Sequence, residues 1–381
     1  MVRKVKEIII SVSFMVILLL PFSDSYFHFI PEKENKENRE LKSKPVFNIN
    51  ELDYFPKEFD EYYSDNFDLR NQLLSFNSKI KFNIGVPPVK GKAFFGKNDW
   101  MYIVEHQMDM YLGKTMVSDS KIKEYYNIIN YRKKVLDSIG CKYFVVVVPA
   151  KTSIYPEFLP LSKQTHNQKT LTDQFVSLLD TMNGVNIIDL RKTLLQAKGG
   201  GVRLFYKTDN HWNNYGAYVA YKEIIKTINR EYPGMISNEI LNVKIDSVRI
   251  KGKALTNMMG IYDGVYENDI TCTPVNGYKH KKGKKAKYTP PPKFPYPWSY
   301  EKVYVTENDT LPKLLMTRDS FGEMIIPYLS EHFSKSVYIF DAWRHNLNRD
   351  IVMKEKPDIY VQFVLEMFIP NIYNNSTEPK K

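Results

Sequence analysis

Five short apolar runs, spaced by amphipathic stretches, constrain this chain more than any other feature. Residues 142–149, Lys-Tyr-Phe-Val-Val-Val-Val-Pro, form a continuous β-branched and aromatic run, the pattern of an interior strand buried on both faces. Residues 185–190, 313–317, 336–340 and 358–364 are shorter runs of the same kind. Between them, residues 122–139 carry an apolar face broken by charges and stop at Gly140, and residues 171–182 and 216–228 also carry helical patterning. Strands alternating with helices predict an α/β fold, a doubly wound and mostly parallel sheet with helices on both faces. In that architecture chemistry collects at the carboxyl ends of the strands.

Upstream, residues 67–74 have helical spacing and residues 96–103 read as a turn entering a strand. Residues 235–310 break the alternation with a basic run, His280 to Lys287, and with Pro290, Pro291, Pro292, Pro295 and Pro297. This stretch is expected to be an insertion on the active-site side, placed before the strand at Lys313.

The N-terminus speaks to compartment. Arg3, Lys4 and Lys6 precede an apolar stretch from Ile8 to Phe22 with no Ala-x-Ala cleavage site after it. A basic flank ahead of such a stretch retains the N-terminus inside and exports the remainder of the chain. The expectation is an uncleaved signal anchor over residues 1–27, a polar linker over 28–46, a catalytic domain over 47–370 and a polar tail over 371–381. The protein is then tethered to a membrane with its domain extracytoplasmic.

The net charge of +11 fits anionic lipid or an acidic polymer as a neighbour. With no Walker-type loop, zinc-finger spacing or RNA-binding aromatic signature, nucleic acid is not an expected partner. Cys141 and Cys272 lie far apart and outside any metal or redox spacing. A disulfide between them is permitted by an oxidising compartment but not indicated. Neither metal nor cofactor is expected.

Two segments carry the chemistry. Residues 314–322 run Leu-Leu-Met-Thr-Arg-Asp-Ser-Phe-Gly: an apolar strand, then Ser320, then a helix-like stretch over 323–333. A serine at such a turn presents its hydroxyl at the sheet edge with backbone amides facing any oxyanion, although an ordinary helix cap reads the same way. Pro327 fits only if the helix starts near Ile325 or is kinked, because proline lacks the amide hydrogen. The other segment holds Asp209, His211 and Trp212. A serine nucleophile needs a base, and the base needs a carboxylate to fix its tautomer. Asp209 and His211 supply both from one loop if the chain turns between them. A solvated loop or a metal-ligand pair is the alternative for these two, the metal reading lowered because no third ligand stands nearby at metal spacing, and Trp212 beside them is either a packing anchor or a platform for a sugar ring.

Asp209-Asn210-His211-Trp212-Asn213 followed by Asp319-Ser320-Phe321-Gly322 resembles the SGNH-hydrolase-like O-acetyltransferases of bacterial exopolysaccharide assembly, the alginate O-acetylation type. Phe67-Asp68-Leu69-Arg70, the turn at Gly96 to Tyr102 and the stretch from Val148 to Pro156 are similar to that family as well. The resemblance implies Ser320 as acylated nucleophile, His211 as base and Asp209 as its partner. It also implies a polysaccharide acceptor and a polytopic membrane acyltransferase as the source of acetyl groups. Arg318 stands where the superfamily has glycine; it either crowds the turn or reaches an anionic substrate. Arg344 is a candidate electrostatic helper, with a surface salt bridge as the alternative. An O-acetyl esterase and a non-catalytic polysaccharide-binding assembly factor are the alternatives to a transferase.

Overall fold

The computed structural model describes residues 2–31, 41–49, 52–83, 93–104, 106–165, 168–237, 239–261, 264–341, 343–375 and 378. Residues 32–40 of the expected linker lie outside them. The chain separates into two compact units, Met1–Ala93 with Lys251–Val265, and Phe94–Ile250 with Tyr266–Lys381.

The first unit contains the helices α1 (Val2–Phe27), α2 (Phe55–Asn66) and α3 (Arg70–Asn83), with a further short helix at Ala254–Met258. Within α1, Lys4–Phe27 is long and apolar enough to cross a membrane, with a mean hydropathy of 2.2, and Ile8, Ile10, Phe14 and Ile17 are all exposed. Phe55, Phe59, Tyr63 and Phe67 recur every fourth residue, and successive rings stack at 5.9, 6.3 and 5.9 Å along one helix face. Helix α3 begins three residues later than the expected helix at Phe67, because Leu69 takes a left-handed φ of 66°.

The second unit is built on a seven-stranded sheet. Its strands are β1 (Lys142–Val148), β2 (Val185–Asp189), β3 (Lys281–Lys282), β4 (Glu301–Val305), β5 (Lys313–Arg318), β6 (Lys335–Phe340) and β7 (Ile359–Leu365). Their spatial order is β2-β1-β7-β5-β6-β4-β3. The first five run parallel; β4 pairs antiparallel with β6 and β3 antiparallel with β4. The fold is thus the expected α/β type with a mostly parallel sheet. The insertion contributes the two antiparallel edge strands, and it also contributes a two-stranded sheet of residues Val243–Lys251 and Tyr266–Pro274.

The alternation of side chains along each strand divides the core in two. Phe144, Val146, Met316, Val361 and Phe363 face one way and pack with Leu190 and Leu194 of α6 (Leu190–Lys198) and Ile224, Ile225 and Ile228 of α7 (Asn214–Glu231). Tyr143, Val145, Leu315, Tyr360 and Val364 face the other way. They pack with Tyr125, Ile128 and Ile129 of α4 (Asp119–Asp137), Phe175 and Leu179 of α5 (Leu171–Asp180), and Val352 of α8 (Arg349–Glu355). Because β1, β7 and β5 are covered on both faces, every residue in them must be accommodated, which explains their mostly apolar runs.

The helix expected over 323–333 is replaced by three pieces: a 3₁₀ turn Ser320–Met324, a single α-turn Ile326–Leu329 and a 3₁₀ turn Ser330–His332. Pro327 sits in the first turn of the middle piece, the only place in a helix where its missing amide costs nothing. Cys141 and Cys272 are both buried free thiols, pushed up to about 12 and about 11 by burial.

Central packing here sets stability. Phe363 is fully buried in β7, so Phe363→Ala should lower the unfolding free energy of this unit by about 3–5 kcal/mol, measured by urea denaturation followed through tyrosine and tryptophan fluorescence.

Candidate active site

The Asp209–Asn213 segment is a hairpin that feeds a helix. Phe205 and Trp212 form an antiparallel bridge, the Tyr206 amide donates to His211 O at 3.2 Å, and the Asn213 amide donates to Leu204 O at 2.8 Å. The tight turn between these contacts lets two residues with one intervening neighbour meet side chain to side chain. Asp209 Oδ1 accepts from the His211 backbone amide at 3.0 Å and from His211 Nδ1 at 2.7 Å. Asn213 closes the segment as the N-cap of α7, accepting from the Gly216 amide at 3.0 Å while its own Nδ2 donates to Arg203 O at 2.6 Å.

The serine arrives from the sheet. Strand β5 ends at Arg318, and Asp319 caps the 3₁₀ turn that begins at Ser320. His211 Nε2 and Ser320 Oγ stand 2.9 Å apart. With Asp209 ionised, Nδ1 carries the ring proton and Nε2 offers its lone pair to the serine hydroxyl. The imidazole stands against the Phe321 ring at 4.7 Å and keeps 29% of its side chain exposed, so the constellation opens to solvent on one side.

Burial by itself would push the Asp209 carboxyl up. The hydrogen bond from the His211 ring, the charge on that ring, the His211 amide and the Lys151 charge outweigh it and hold the group well below the usual carboxylate range. Asp319 is the opposite case. Its carboxylate is fully buried and pushed up to about 6, although it accepts from the Phe321 amide at 2.9 Å and the Leu365 amide at 2.7 Å.

The remaining residues singled out from sequence fall elsewhere. Trp212 is fully buried, its indole N–H donating to Phe321 O at 3.1 Å, with Phe321 and Phe363 packed edge-on at 5.5 and 6.0 Å. It therefore anchors the hairpin to the serine turn and offers no face to a sugar. Arg318 is 1% exposed; its guanidinium donates to Asp319 O at 3.1 Å and Glu323 Oε2 at 2.8 Å and lies over the Phe340 ring. Its side chain turns inward, so it braces the serine turn instead of reaching for an anionic substrate. Arg344 Nη2 meets Pro292 O at 3.5 Å, and the side chain lines a cavity of 280 Å³ with Thr317, Asp341 and Tyr360. The structure brings Ser320, His211 and Asp209 together and gives neither arginine a place beside the serine hydroxyl.

Several supporting residues were not singled out from the sequence. Glu267, from the inserted two-stranded sheet, is 6% exposed. It accepts the Lys207 and Thr208 amides at 2.8 and 2.9 Å, pairs with Arg203 at 2.9 Å and also takes the Thr208 hydroxyl. Lys151, just past β1, is fully buried; its ammonium donates to Met101 O at 2.7 Å and Lys207 O at 3.1 Å. Gln107 Nε2 donates to Asn210 Oδ1 at 2.6 Å. All three hold the turn that presents Asp209 and His211, from positions about 60 to 100 residues away in sequence.

The mostly parallel sheet thus carries a Ser-His-Asp constellation at its carboxyl edge. Residues 93–261 match the family model described as SGNH hydrolase-like domain, acetyltransferase AlgX. That span includes Asp209 and His211 and stops short of Ser320. The chain is similar to the probable alginate O-acetylase AlgJ of Pseudomonas fluorescens, 28% identical over 181 residues, covering 46% of this chain and 43% of that protein. The match thus spans less than half the length of that relative. Among solved structures, Bacillus cereus PatB1 with a sulfonyl adduct aligns with a TM-score of 0.53 and 16% identity over 72% of this chain and 96% of that one. The O-acetyltransferase domain of Pseudomonas putida AlgJ aligns with a TM-score of 0.50 and 16% identity over 75% and 94%. At those identities the structural likeness establishes the fold.

The relay and its buried lysine each have a measurable consequence. Asp209→Asn keeps the side-chain size but removes the charge that fixes the His211 tautomer, so turnover of p-nitrophenyl acetate should fall by about 10³–10⁴-fold with an unchanged circular dichroism spectrum. Burial lowers Lys151 to about 7, against the opposing pull of Asp209 and Glu267. Between pH 7 and the ordinary lysine range the unfolded chain binds the extra proton, so stability should rise with pH across that window. Lys151→Met should flatten that rise in denaturation midpoints taken from pH 7 to pH 10.

Proposed function

We propose that this chain is a serine-dependent O-acyltransferase that moves an acetyl group through a Ser320 acyl-enzyme onto hydroxyls of an exported polysaccharide. The observation that carries this reading is the relay from Ser320 Oγ to His211 Nε2 at 2.9 Å and from His211 Nδ1 to Asp209 at 2.7 Å. In this reading Ser320 Oγ attacks the acetyl carbonyl while its proton passes to His211 Nε2, and Asp209 stabilises the imidazolium that forms. Collapse of the tetrahedral species expels the donor's leaving group, which takes that proton and leaves acetyl-Ser320. An acceptor hydroxyl then surrenders its proton to Nε2 and attacks the ester. The second collapse releases the acetylated sugar and returns the proton to Ser320 Oγ.

The turn also suggests the oxyanion donor. The Phe321 and Gly322 amides are committed to Asp319, whereas the Ser320 amide has no acceptor among the described residues. It is the donor this reading assigns to the developing negative charge. The names of the similar proteins, an alginate O-acetylase and an acetyltransferase domain, support acetyl as the group and a polysaccharide as the acceptor. Helix α1 is the membrane anchor in this reading, with the Ser320 domain in the periplasm and a polytopic membrane acyltransferase supplying acetyl groups from the cytoplasm.

Incubation with an acetyl ester should leave an acetyl group on Ser320, seen by peptide mass spectrometry, and Ser320→Ala should show none. With an oligosaccharide acceptor present, acetylated sugar should exceed free acetate. Free acetate released equally fast with and without acceptor would make the protein an esterase. A folded wild-type protein left unlabelled would make it a non-catalytic binding factor.

A further inference from the structure

The connection between β3 and β4 crosses the edge of the sheet that carries Ser320. Lys281 and Lys282 of β3 lie opposite Val305 and Tyr304, while Glu301 of β4 lies opposite Ile339 near the end of β6. Strand β3 therefore runs with the parallel strands and β4 runs back, so residues 283–300 turn over at the carboxyl edge. Glu301 fixes the base of this turn by accepting the Ala286 and Tyr288 amides at 2.6 and 3.1 Å.

Two aromatic rings stand on that edge with their surfaces in solvent. Trp298 is 73% exposed and Tyr296 is 37% exposed. Neither hangs free. Tyr296 stacks on Phe340, the last residue of β6, at 5.7 Å with 15° between the planes. Its other ring contacts, with Trp298 at 5.8 Å and Trp343 at 6.2 Å, are edge-on. Phe340 in turn lies under the Arg318 guanidinium at 4.7 Å, two residues before Ser320. Two ring contacts thus connect the exposed pair to the nucleophile turn. Pro295 and Pro297 flank Tyr296 and restrict its backbone.

The same connection is basic. Lys284, Lys285, Lys287 and Lys293 are exposed, and among the described residues none has a carboxylate partner. Lysines nearby in the fold are neutralised instead: Lys281 by Glu307, Lys302 by Glu323 and Lys335 by Glu355. A fixed aromatic ledge beside four uncompensated cations matches a polymer that presents flat C–H faces and negative charges in alternation.

We propose that residues 284–300 form the acceptor platform for an acidic polysaccharide. Tyr296 and Trp298 stack against its pyranose rings and Lys284, Lys285, Lys287 and Lys293 pair with its carboxylates, leading a hydroxyl toward Ser320. The proposal rests on the acyl-transfer reading of the site. A membrane surface fits less well, because residues 284–300 contain no Leu, Ile or Val to insert and the rings are stacked in place.

The test uses the full chain with three probes: an oligouronate of defined length, a neutral cello-oligosaccharide of the same length, and phosphatidylglycerol vesicles. The oligouronate should bind the wild type and Ser320→Ala alike, and more tightly than the neutral chain. Tyr296→Ala with Trp298→Ala should weaken binding by about tenfold or more, with an unchanged circular dichroism spectrum. Changing the four lysines to Gln should remove most of the salt dependence of binding. Equal oligouronate affinity in wild type and both variants overturns the platform, as does a loss confined to vesicle binding. If wild type neither turns over p-nitrophenyl acetate nor labels at Ser320 while glycan binding still depends on these residues, the acyl-transfer reading fails and the platform stands.

Discussion

The arrangement of this site depends on one buried carboxylate, that of Asp319. It is fully enclosed and yet accepts two backbone amides, one from Phe321 in the serine turn and one from Leu365 at the end of β7. A buried acceptor that lost either donor would bear its desolvation penalty uncompensated, so the serine turn is locked to the centre of the sheet. Glu366, the residue directly after β7, repeats the device toward β1. It accepts the Ala150 amide at 2.8 Å and the Thr172 hydroxyl at 3.2 Å, and it also takes the Ser153 hydroxyl. Two acidic groups thereby tie the carboxyl ends of β5, β7 and β1 into one rigid rim.

The hairpin that carries Asp209 and His211 is fixed against this rim from below and behind. Trp212 reaches under it to the Phe321 carbonyl, and Lys151 and Glu267 hold its turn through backbone atoms. Contacts to backbone impose position without regard to the side chains at the tip, which leaves the tip free to be chosen for chemistry. A hydrogen-bonded relay of about 3 Å per link tolerates little play, so its geometry needs support from residues outside it.

Much of the fold was legible in the residue pattern. The run from Lys142 to Val148 and the helical spacing of residues 122–139 and 171–182 match β1, α4 and α5 within a few residues, because strands and helices buried against one another leave a strong periodic signature. The serine turn was less legible. Residues 323–333 look helical by composition, yet Pro327 and the short span between β5 and β6 admit only three brief turns.

The sequence by itself determined the α/β alternation, the apolar N-terminal helix and the types of residue present in the two polar segments, since these depend on local periodicity and composition. Only the tertiary structure decided that Ser320 and His211, 109 residues apart, come within hydrogen-bonding distance. It also decided that Trp212 is buried, that Arg318 turns inward, and that Glu267 and Lys151 stand behind the hairpin. The physical reason is that each of these depends on partners remote in the chain. A hydroxyl, an imidazole or a guanidinium has the same local sequence signature whether it faces solvent or a partner, and only packing assigns it one.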